Sequence, residues 1–342
     1  MKKLNVGLVG AGFMGKAHSI GYSDMPKYFW PAPAVPVLKT ICDIVPEIAA
    51  DAKERFGFEK CCTDWRDIVN DPEIDVVSIC TPNNVHAEIA IAALNAGKHV
   101  LCEKPIASTL EDAKAMAEAA RKAAQKGIIA MNAYQYRRVP AIDLASHVID
   151  IAQYLAGDIE AVTGMMQTYI TERPVQEGGA DLLGTVKLGT DAKRKAVDVD
   201  DEDSFLVKFK NGAVGSIEAT RNAWGRNNFI TVELHGTLGS LYFNYERLNE
   251  LQVCLAGDPD DRRGFKTIYT GPAHFHGEVT WNIPGMNIGY GELKSIESYE
   301  FIKAVVEGRQ PSTSFAEGYR VERVCDAVKR SAETGRWVTV DD

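Results

Sequence analysis

The chain has 342 residues, 45% of them hydrophobic and 25% charged, the balance of an ordinary soluble globular protein with room for two domains. Its net charge of −9 opposes nonspecific binding to nucleic acid or to an anionic membrane surface, and no apolar run approaches the length of a membrane span. The seven cysteines are odd in number and lack C-x-x-C spacing. They predict neither a disulfide framework nor a zinc site, and they suit a reduced, cytoplasmic compartment. Met1-Lys2-Lys3 ahead of an apolar run imitates a signal peptide, but a glycine cluster interrupts that run and no small-residue cleavage site follows.

The first element is the apolar run Leu4–Val9, which enters Gly10-Ala11-Gly12-Phe13-Met14-Gly15 and then a helix-compatible segment. Strand, glycine turn and helix together make G-x-G-x-x-G a dinucleotide-binding hypothesis. Gly10 permits the turn, Gly12 lets backbone approach a pyrophosphate, and Gly15 lets helix and strand pack closely. Tyr22–Pro36, with its proline-rich FWPAPAVP, reads as an ordered excursion. A second strand, Val35–Cys42, ends at Asp43, and a helix follows over Glu47–Phe56. A carboxylate there can accept from both hydroxyls of an adenosine ribose and would repel a 2′-phosphate, so Asp43 favours NAD over NADP. The alternative, a helix N-terminal acid near Pro46, is the less favoured reading given the glycine fingerprint upstream.

Short helix Asp64–Asn70, strand Ile74–Cys80, turn Thr81–Asn84, helix Val85–Ala96, strand His99–Cys102, helix Leu110–Gln125 and strand Ile128–Asn132 come next. Buried runs alternating with amphipathic helices predict a doubly wound parallel sheet, with ligands beyond the carboxyl ends of its strands. Gly10, Asp43, Thr81, Asn83 and Lys104 all fall there. Past Asn132 the pattern changes. Helix Asp143–Leu155 leads to strands from Ala161, a hairpin Phe205–Phe209/Val214–Thr220 through Asn211-Gly212, and strands Phe229–His235, Gly239–Tyr245 and Glu250–Leu255 in a continuing antiparallel sheet. Ala180–Asp203 reads as a long surface loop, and helices near Lys294–Glu307 and Ser314–Thr334 close the chain. The expected fold is α/β plus α+β, with residues 1–133 holding the cofactor and residues 134–342 serving substrate binding and oligomerisation.

Lys104, at a strand end and followed by Pro105, can orient a substrate hydroxyl and lower its pKa, or be a surface lysine paired with Glu103. Asp143, His147 and Asp150 share one helical face. His147 is suited to taking a hydroxyl proton near neutrality, and Asp143 to binding substrate or holding the imidazole. Read alone, Asp143 is better explained as a helix cap and His147 as an interlayer histidine. Tyr136-Arg137-Arg138 could face the cofactor or support the hinge. His274, His276 and Glu278 fit no trusted metal geometry and read as solvated loop.

Several motifs together resemble the glucose–fructose oxidoreductase / inositol dehydrogenase / MocA family along nearly the whole chain. They are the glycine fingerprint, Thr81-Pro82-Asn83-x-x-His86, Glu103-Lys104-Pro105, YRRVPA at 136–141, and Asp143-x-x-x-His147-x-x-Asp150. Long runs such as GFMGKAHS, FWPAPA, EATRNAWGRNN and FNYERLNELQV are similar to its levoglucosan-oxidising members. The resemblance implies NAD-linked oxidation of a secondary hydroxyl of a pyranose-type sugar to a ketone, for levoglucosan at C3. Lys104, Asp143 and His147 would be catalytic, with His147 the proton acceptor. Tyr136 and Arg137 would join them around substrate, and Phe13, Met14, His86 and Glu103 would join the cofactor site. No metal is implied. Assembly would be a dimer or tetramer through the open face of the C-terminal sheet. The alternatives are a non-catalytic NAD-binding member, another sugar or inositol dehydrogenase, or an enzyme cycling a tightly held cofactor between two sugars.

The family pattern has a helix, a strand and a long connection between YRRxPA and the Asp-x-x-x-His helix. Here Ala141-Ile142 runs directly into Asp143, leaving out about 40–50 residues at usual element lengths. The C-terminal sheet should then expose an edge or find a new pairing. Any shift of the following helix would separate His147 from Lys104.

Overall fold

The computed structural model describes residues 1–134, 145–175, 193–197, 199–226, 228–280 and 286–340, the side chains of 145 and 146 excepted. The N-terminal part runs β1 (Lys3–Val9), α1 (Phe13–Tyr28), β2 (Val35–Cys42), α2 (Pro46–Phe56), β3 (Lys60–Cys62), α3 (Trp65–Asn70), β4 (Val76–Ile79), α4 (His86–Asn95), β5 (His99–Cys102), α5 (Leu110–Ala124) and β6 (Ala130–Asn132). Its strands form one parallel sheet in the order β3-β2-β1-β4-β5-β6. That order reverses between β1 and β4, where open α/β sheets bind ligands. β4 is buried at every position and β5 at all but its first, as expected of strands covered on both faces.

The C-terminal part continues with α6 (Ala145–Ala156), β7 (Ile159–Gln167), β8 (Glu172–Pro174), β9 (Arg194–Ala196), β10 (Glu202–Phe209), β11 (Val214–Thr220), β12 (Thr231–Gly236), β13 (Gly239–Asn244), β14 (Glu250–Leu255) and β15 (Lys266–Tyr269). It closes with α7 (Gly277–Thr280), α8 (Tyr290–Glu307), α9 (Phe315–Thr334) and β16 (Val338–Thr339). One sheet is ordered β11-β10-β7-β16, and Phe205, Val207, Ile159 and Val162 pack its inner side against Val321, Val324 and Val328 of α9. α8 instead crosses to the N-terminal sheet. Its Leu293, Ile296, Phe301, Ile302 and Val305 share a core with Leu4, Val6, Tyr22, Met25 and Phe29.

Four elements differ from the sequence expectation. Helix α1 extends through Tyr28 despite Pro26, because Tyr22 and Met25 are fully buried and tie its last turns to the core. The antiparallel strands form two separate four-stranded sheets, β11-β10-β7-β16 and β12-β13-β14-β15. Alternation and turn residues specify each hairpin but not whether neighbouring hairpins join. The stretch read as a loop over Ala180–Asp203 contains β9, paired with β8, and the first residues of β10; residues 180–192 and 198 lie outside the description. The short strands β3, β15 and β16 carried no period long enough to read, since each has four residues or fewer.

Candidate active site

The chain leaves β1 at Gly10, whose φ of 95° is a left-handed conformation that glycine alone adopts freely. A Cβ there would also lie 2.7 Å from the Cys80 carbonyl oxygen, so the ends of β1 and β4 meet over this glycine. Helix α1 starts at Gly12, which supplies no side-chain cap, and its first turn has no acidic residue. Nothing lies within 4 Å of where a Gly12 Cβ would sit. The first amides of α1 therefore point, uncapped and partially positive, into open space suited to a phosphate. Gly15 fills a different need: a Cβ there would strike the Gly10 carbonyl. Phe13 is half exposed with its ring 6.2 Å from Tyr290, and the Tyr290 hydroxyl reaches Met14 Sδ at 3.6 Å, so α8 holds the glycine turn from behind.

Asp43 follows β2. The Ala11 N–H donates to its Oδ2 at 2.9 Å and the Val45 N–H to its Oδ1 at 3.0 Å. Each oxygen keeps a second lone pair, enough for two ribose hydroxyls. Beyond β4, Thr81 Oγ1 is buried and has no hydrogen-bond partner among the described residues. Such an orphan costs about 1–3 kcal/mol unless something outside the polypeptide meets it. Open space at Gly12, spare acceptors on Asp43 and this hydroxyl suit a dinucleotide at the ends of β1, β2 and β4. Asn83 begins a short 3₁₀ turn beside them.

Two residues expected around the cofactor are spent on the scaffold. His86 is buried with Nε2 2.8 Å from the Thr81 carbonyl and Nδ1 3.0 Å from the Pro105 carbonyl. Burial, its largest influence, pushes this imidazole below its ordinary value despite the carbonyls, so it is neutral and donates to only one of them at a time. It braces the Thr81 turn against the Lys104-Pro105 turn. Glu103 is 3% exposed and uses both carboxylate oxygens internally. Oε2 accepts from the Lys104 N–H at 3.0 Å, while Oε1 lies 2.9 Å from His18 Nε2 and 2.7 Å from Lys294 Nζ.

Lys294 was not legible as a site residue. From α8 it enters the N-terminal core at 1% exposure, reaching Glu297 Oε2 at 2.9 Å and His18 Nε2 at 3.2 Å. His18 Nδ1 lies 2.8 Å from Ser78 Oγ on β4. Burial alone would raise the Glu103 carboxyl and lower the Lys294 ammonium, but their mutual attraction, with His18 and Glu297, outweighs it. Glu103 is held below its usual range and Lys294 above, so both are charged. The ligand-type atoms of His18, Glu103 and Glu297 lie within 4.8 Å of one another, and the cation among them is this ammonium. In sequence, Lys294 and Glu297 have the i,i+3 spacing of a surface ion pair, and only helix packing reveals the difference.

His147, on α6, is 1% exposed and meets Tyr134 edge-on at 5.4 Å. Burial first, and the Lys104 charge second, push its imidazole well below the ordinary value. Lys104 and His147 thus remain within electrostatic reach despite the shortened connection. Lys104 is half-buried at the end of β5. Asp150, one turn beyond His147, is 1% exposed. Tyr136, Arg137 and Asp143 lie outside the described residues. The His274/His276/Glu278 region is only partly solvated: His274 and Glu278 are exposed, whereas His276 packs edge-on against Phe29 and Tyr299 and lies 3.2 Å from Glu300.

A parallel sheet in this order, with a bare glycine-lined helix terminus at its switch point, defines the NAD-binding Rossmann class of oxidoreductases. The chain belongs to the GFO/IDH/MocA family: residues 4–131 match its NAD-binding Rossmann-fold oxidoreductase domain and residues 131–242 its C-terminal domain. It is 50% identical to levoglucosan dehydrogenase of Pseudarthrobacter phenanthrenivorans over 389 positions, covering 99% of each chain. Myo-inositol 2-dehydrogenase of Thermotoga maritima is 26% identical, again over 99% of each chain. The solved structure of a levoglucosan dehydrogenase in complex with NADH and levoglucosan matches with a TM-score of 0.91 at 48% identity, over 100% of both chains. An alignment of 389 positions against a chain of 342 residues means that the Pseudarthrobacter enzyme carries several tens of residues with no counterpart here.

Replacing Lys294 by Met leaves Glu103 and Glu297 buried and uncompensated. The variant is expected to lose about 3–5 kcal/mol of unfolding free energy in urea titrations, with part regained when both glutamates are changed to Gln. The buried histidines give a second expectation. His86, His99 and His147 are all lowered, in each case by burial first. An unfolded imidazole takes a proton near pH 6.5 while the folded one resists. Stability should therefore fall as pH drops below about 6.5, over the interval down to the lowered folded values. Thermal midpoints across that range should show the decline, with a shallower slope in His147→Gln.

Proposed function

We propose that this chain is an NAD-dependent dehydrogenase that oxidises a secondary hydroxyl of levoglucosan, or a closely related pyranose, to the ketone. The observation that carries the reading is a buried, neutral His147 within electrostatic reach of Lys104 beside a dinucleotide-binding sheet end, in a chain half identical to levoglucosan dehydrogenase. Bound NAD supplies the acceptor for the hydride leaving the alcohol carbon. The polypeptide must manage the proton. Lys104 donates a hydrogen bond to the alcohol oxygen and steadies the negative charge that grows on it. His147, kept neutral by burial and by the neighbouring ammonium, takes the hydroxyl proton on its unprotonated ring nitrogen. Asp143, Tyr136 and Arg137 complete the substrate contacts. Gly10, Gly12, Phe13, Met14, Gly15, Asp43, Thr81 and Asn83 form the cofactor site, with His86 and Glu103 supporting it from behind.

We assign the work to a homo-oligomer, dimer or tetramer, built through the outward face of β7, β10 and β11, where Met165 and Leu206 are more than half exposed. The cytoplasm, which keeps thiols reduced, suits the seven free cysteines.

NADH formation with levoglucosan, inositol and glucose tests the reading. Levoglucosan should give the highest kcat/KM. His147→Asn and Lys104→Ala should each lower kcat by about 10²–10⁴ without abolishing NAD binding. Binding of NAD with no turnover on any sugar would overturn the enzymatic reading and leave a dinucleotide-binding protein. Cofactor choice gives a separate measurement. Asp43→Asn removes the charge that a 2′-phosphate would meet, and such like-charge contacts cost several kcal/mol. The preference for NAD over NADP in titration calorimetry should narrow by at least about tenfold.

A further inference from the structure

Two cysteines stand side by side at the edge of the parallel sheet. β2 and β3 pair with Thr40, Ile41 and Cys42 in register with Lys60, Cys61 and Cys62. Register partners on neighbouring parallel strands project from the same face, and successive residues alternate. Accordingly Cys42 and Cys62 both pack with Ile68 and Val69 of α3, whereas Ile41 belongs to a different cluster and Cys61 is exposed. Both thiols are free, Cys42 buried and Cys62 half-buried. Neighbouring strands lie about 4.8 Å apart, inside the roughly 4.4–6.8 Å range of Cα separations that a disulfide spans.

The two thiols share a hydrogen bond, the largest influence on each. It pushes Cys42 up, with burial acting in the same direction, and draws Cys62 below its ordinary value against burial and the charges of Asp67 and Asp64. A lowered, partly exposed thiol is the one oxidised first, and a second thiol in contact can resolve it. The backbone of the same pair carries the cofactor site. The Gly10 N–H donates to the Cys42 carbonyl at 2.8 Å, and the Asp43 N–H donates to the Cys62 carbonyl at 3.2 Å. Asp43 in turn accepts from the Ala11 N–H in the glycine turn. A disulfide brings its Cβ atoms to about 3.8 Å, closer than the strand spacing of about 4.8 Å, so closing one here moves the backbone that holds Gly10 and Asp43.

We propose that Cys42 and Cys62 are a redox modification site: a hydroperoxide converts them to a reversible disulfide, which weakens NAD binding by displacing Asp43 and Gly10. In the first step the Cys62 thiolate attacks a peroxide oxygen. An S–O bond forms, the O–O bond breaks, and the hydroxide released takes up the proton that Cys62 had lost. In the second step Cys42 attacks the Cys62 sulfur. The S–S bond forms, the S–O bond breaks, and hydroxide leaves as water with the Cys42 proton. Two thiols and one hydrogen peroxide thus give one disulfide and two waters, with sulfur oxidised and peroxide reduced. A dithiol reductant reverses the change.

The test treats the full reduced chain with one equivalent of hydrogen peroxide. Intact mass should fall by two hydrogens, and a tryptic digest should show peptide 40–53 joined to peptide 61–66. The link should persist in Cys61→Ser and vanish in Cys62→Ser and in Cys42→Ala. Because Cys42 is buried and its variant can misfold, Cys62→Ser carries the decision. Titration calorimetry should show NAD binding weakened at least about fivefold in the oxidised chain and restored by dithiothreitol, with Cys62→Ser indifferent to peroxide. A thermal melt of the oxidised chain should remain cooperative. The proposal is overturned by a link that requires Cys61, by oxidation to sulfinic acid without a link, by a link that leaves NAD affinity unchanged, or by loss of affinity through unfolding. No readout depends on a sugar being turned over, so the outcome is independent of the proposed dehydrogenase activity.

Discussion

A single ammonium, that of Lys294, joins the two parts of this protein at their most sensitive point. It sits in the core with Glu103 on one side and Glu297 on the other, and His18 closes the group. Isolated, any of these charges would be forced to neutralise at that depth. Together they satisfy one another, at the expense of tolerating almost no displacement. Glu103 directly precedes Lys104 and accepts from its backbone N–H, so the grip on one carboxylate fixes the path of the chain that presents the next residue. The same α8 helix contacts the glycine turn through Tyr290. Both ends of the cofactor cleft thus take their alignment from one helix, whose Lys294 lies 191 residues beyond Glu103 and whose Tyr290 lies 276 beyond Met14.

The N-terminal fold was plain in the sequence because its signals are local. Glycines are demanded by a left-handed turn at Gly10 and a backbone contact at Gly15, and nearly continuous apolar runs mark buried parallel strands. The placement of Asp43 and Lys104 was legible for a related reason: each follows the carboxyl end of a parallel strand, the edge where this topology takes ligands. What stayed hidden depends on distant partners. Lys294 and Glu297 share the spacing of an exposed pair and became a core charge network only through helix packing. Glu103 and His86 belong to motifs at the cofactor's rim, yet their polar atoms turn inward, which no spacing discloses. The division of the C-terminal strands into two sheets was equally invisible, because alternation reports which face is buried and says nothing about which edges meet.

The environment of His147 shows how a low-dielectric site shapes acid–base behaviour. An imidazole shut away from water, with a lysine charge within electrostatic reach, resists protonation and stays neutral.

The close packing of α1 on α8 has a consequence for how the protein is divided. A Cβ on Gly21 would lie 2.7 Å from the Lys294 carbonyl oxygen, so the two helices touch backbone to backbone. Tyr22, Met25 and Phe29 of α1 are covered by the apolar side of α8. In space, the body that cradles the dinucleotide therefore includes a helix from near the chain's end. A fragment stopping after β6 would bare that flank of α1 and carry Glu103 into the core with its lysine gone. Ribosomal synthesis meets the same condition: the glycine turn emerges first, but its supporting wall is complete only after residue 307 has left the tunnel.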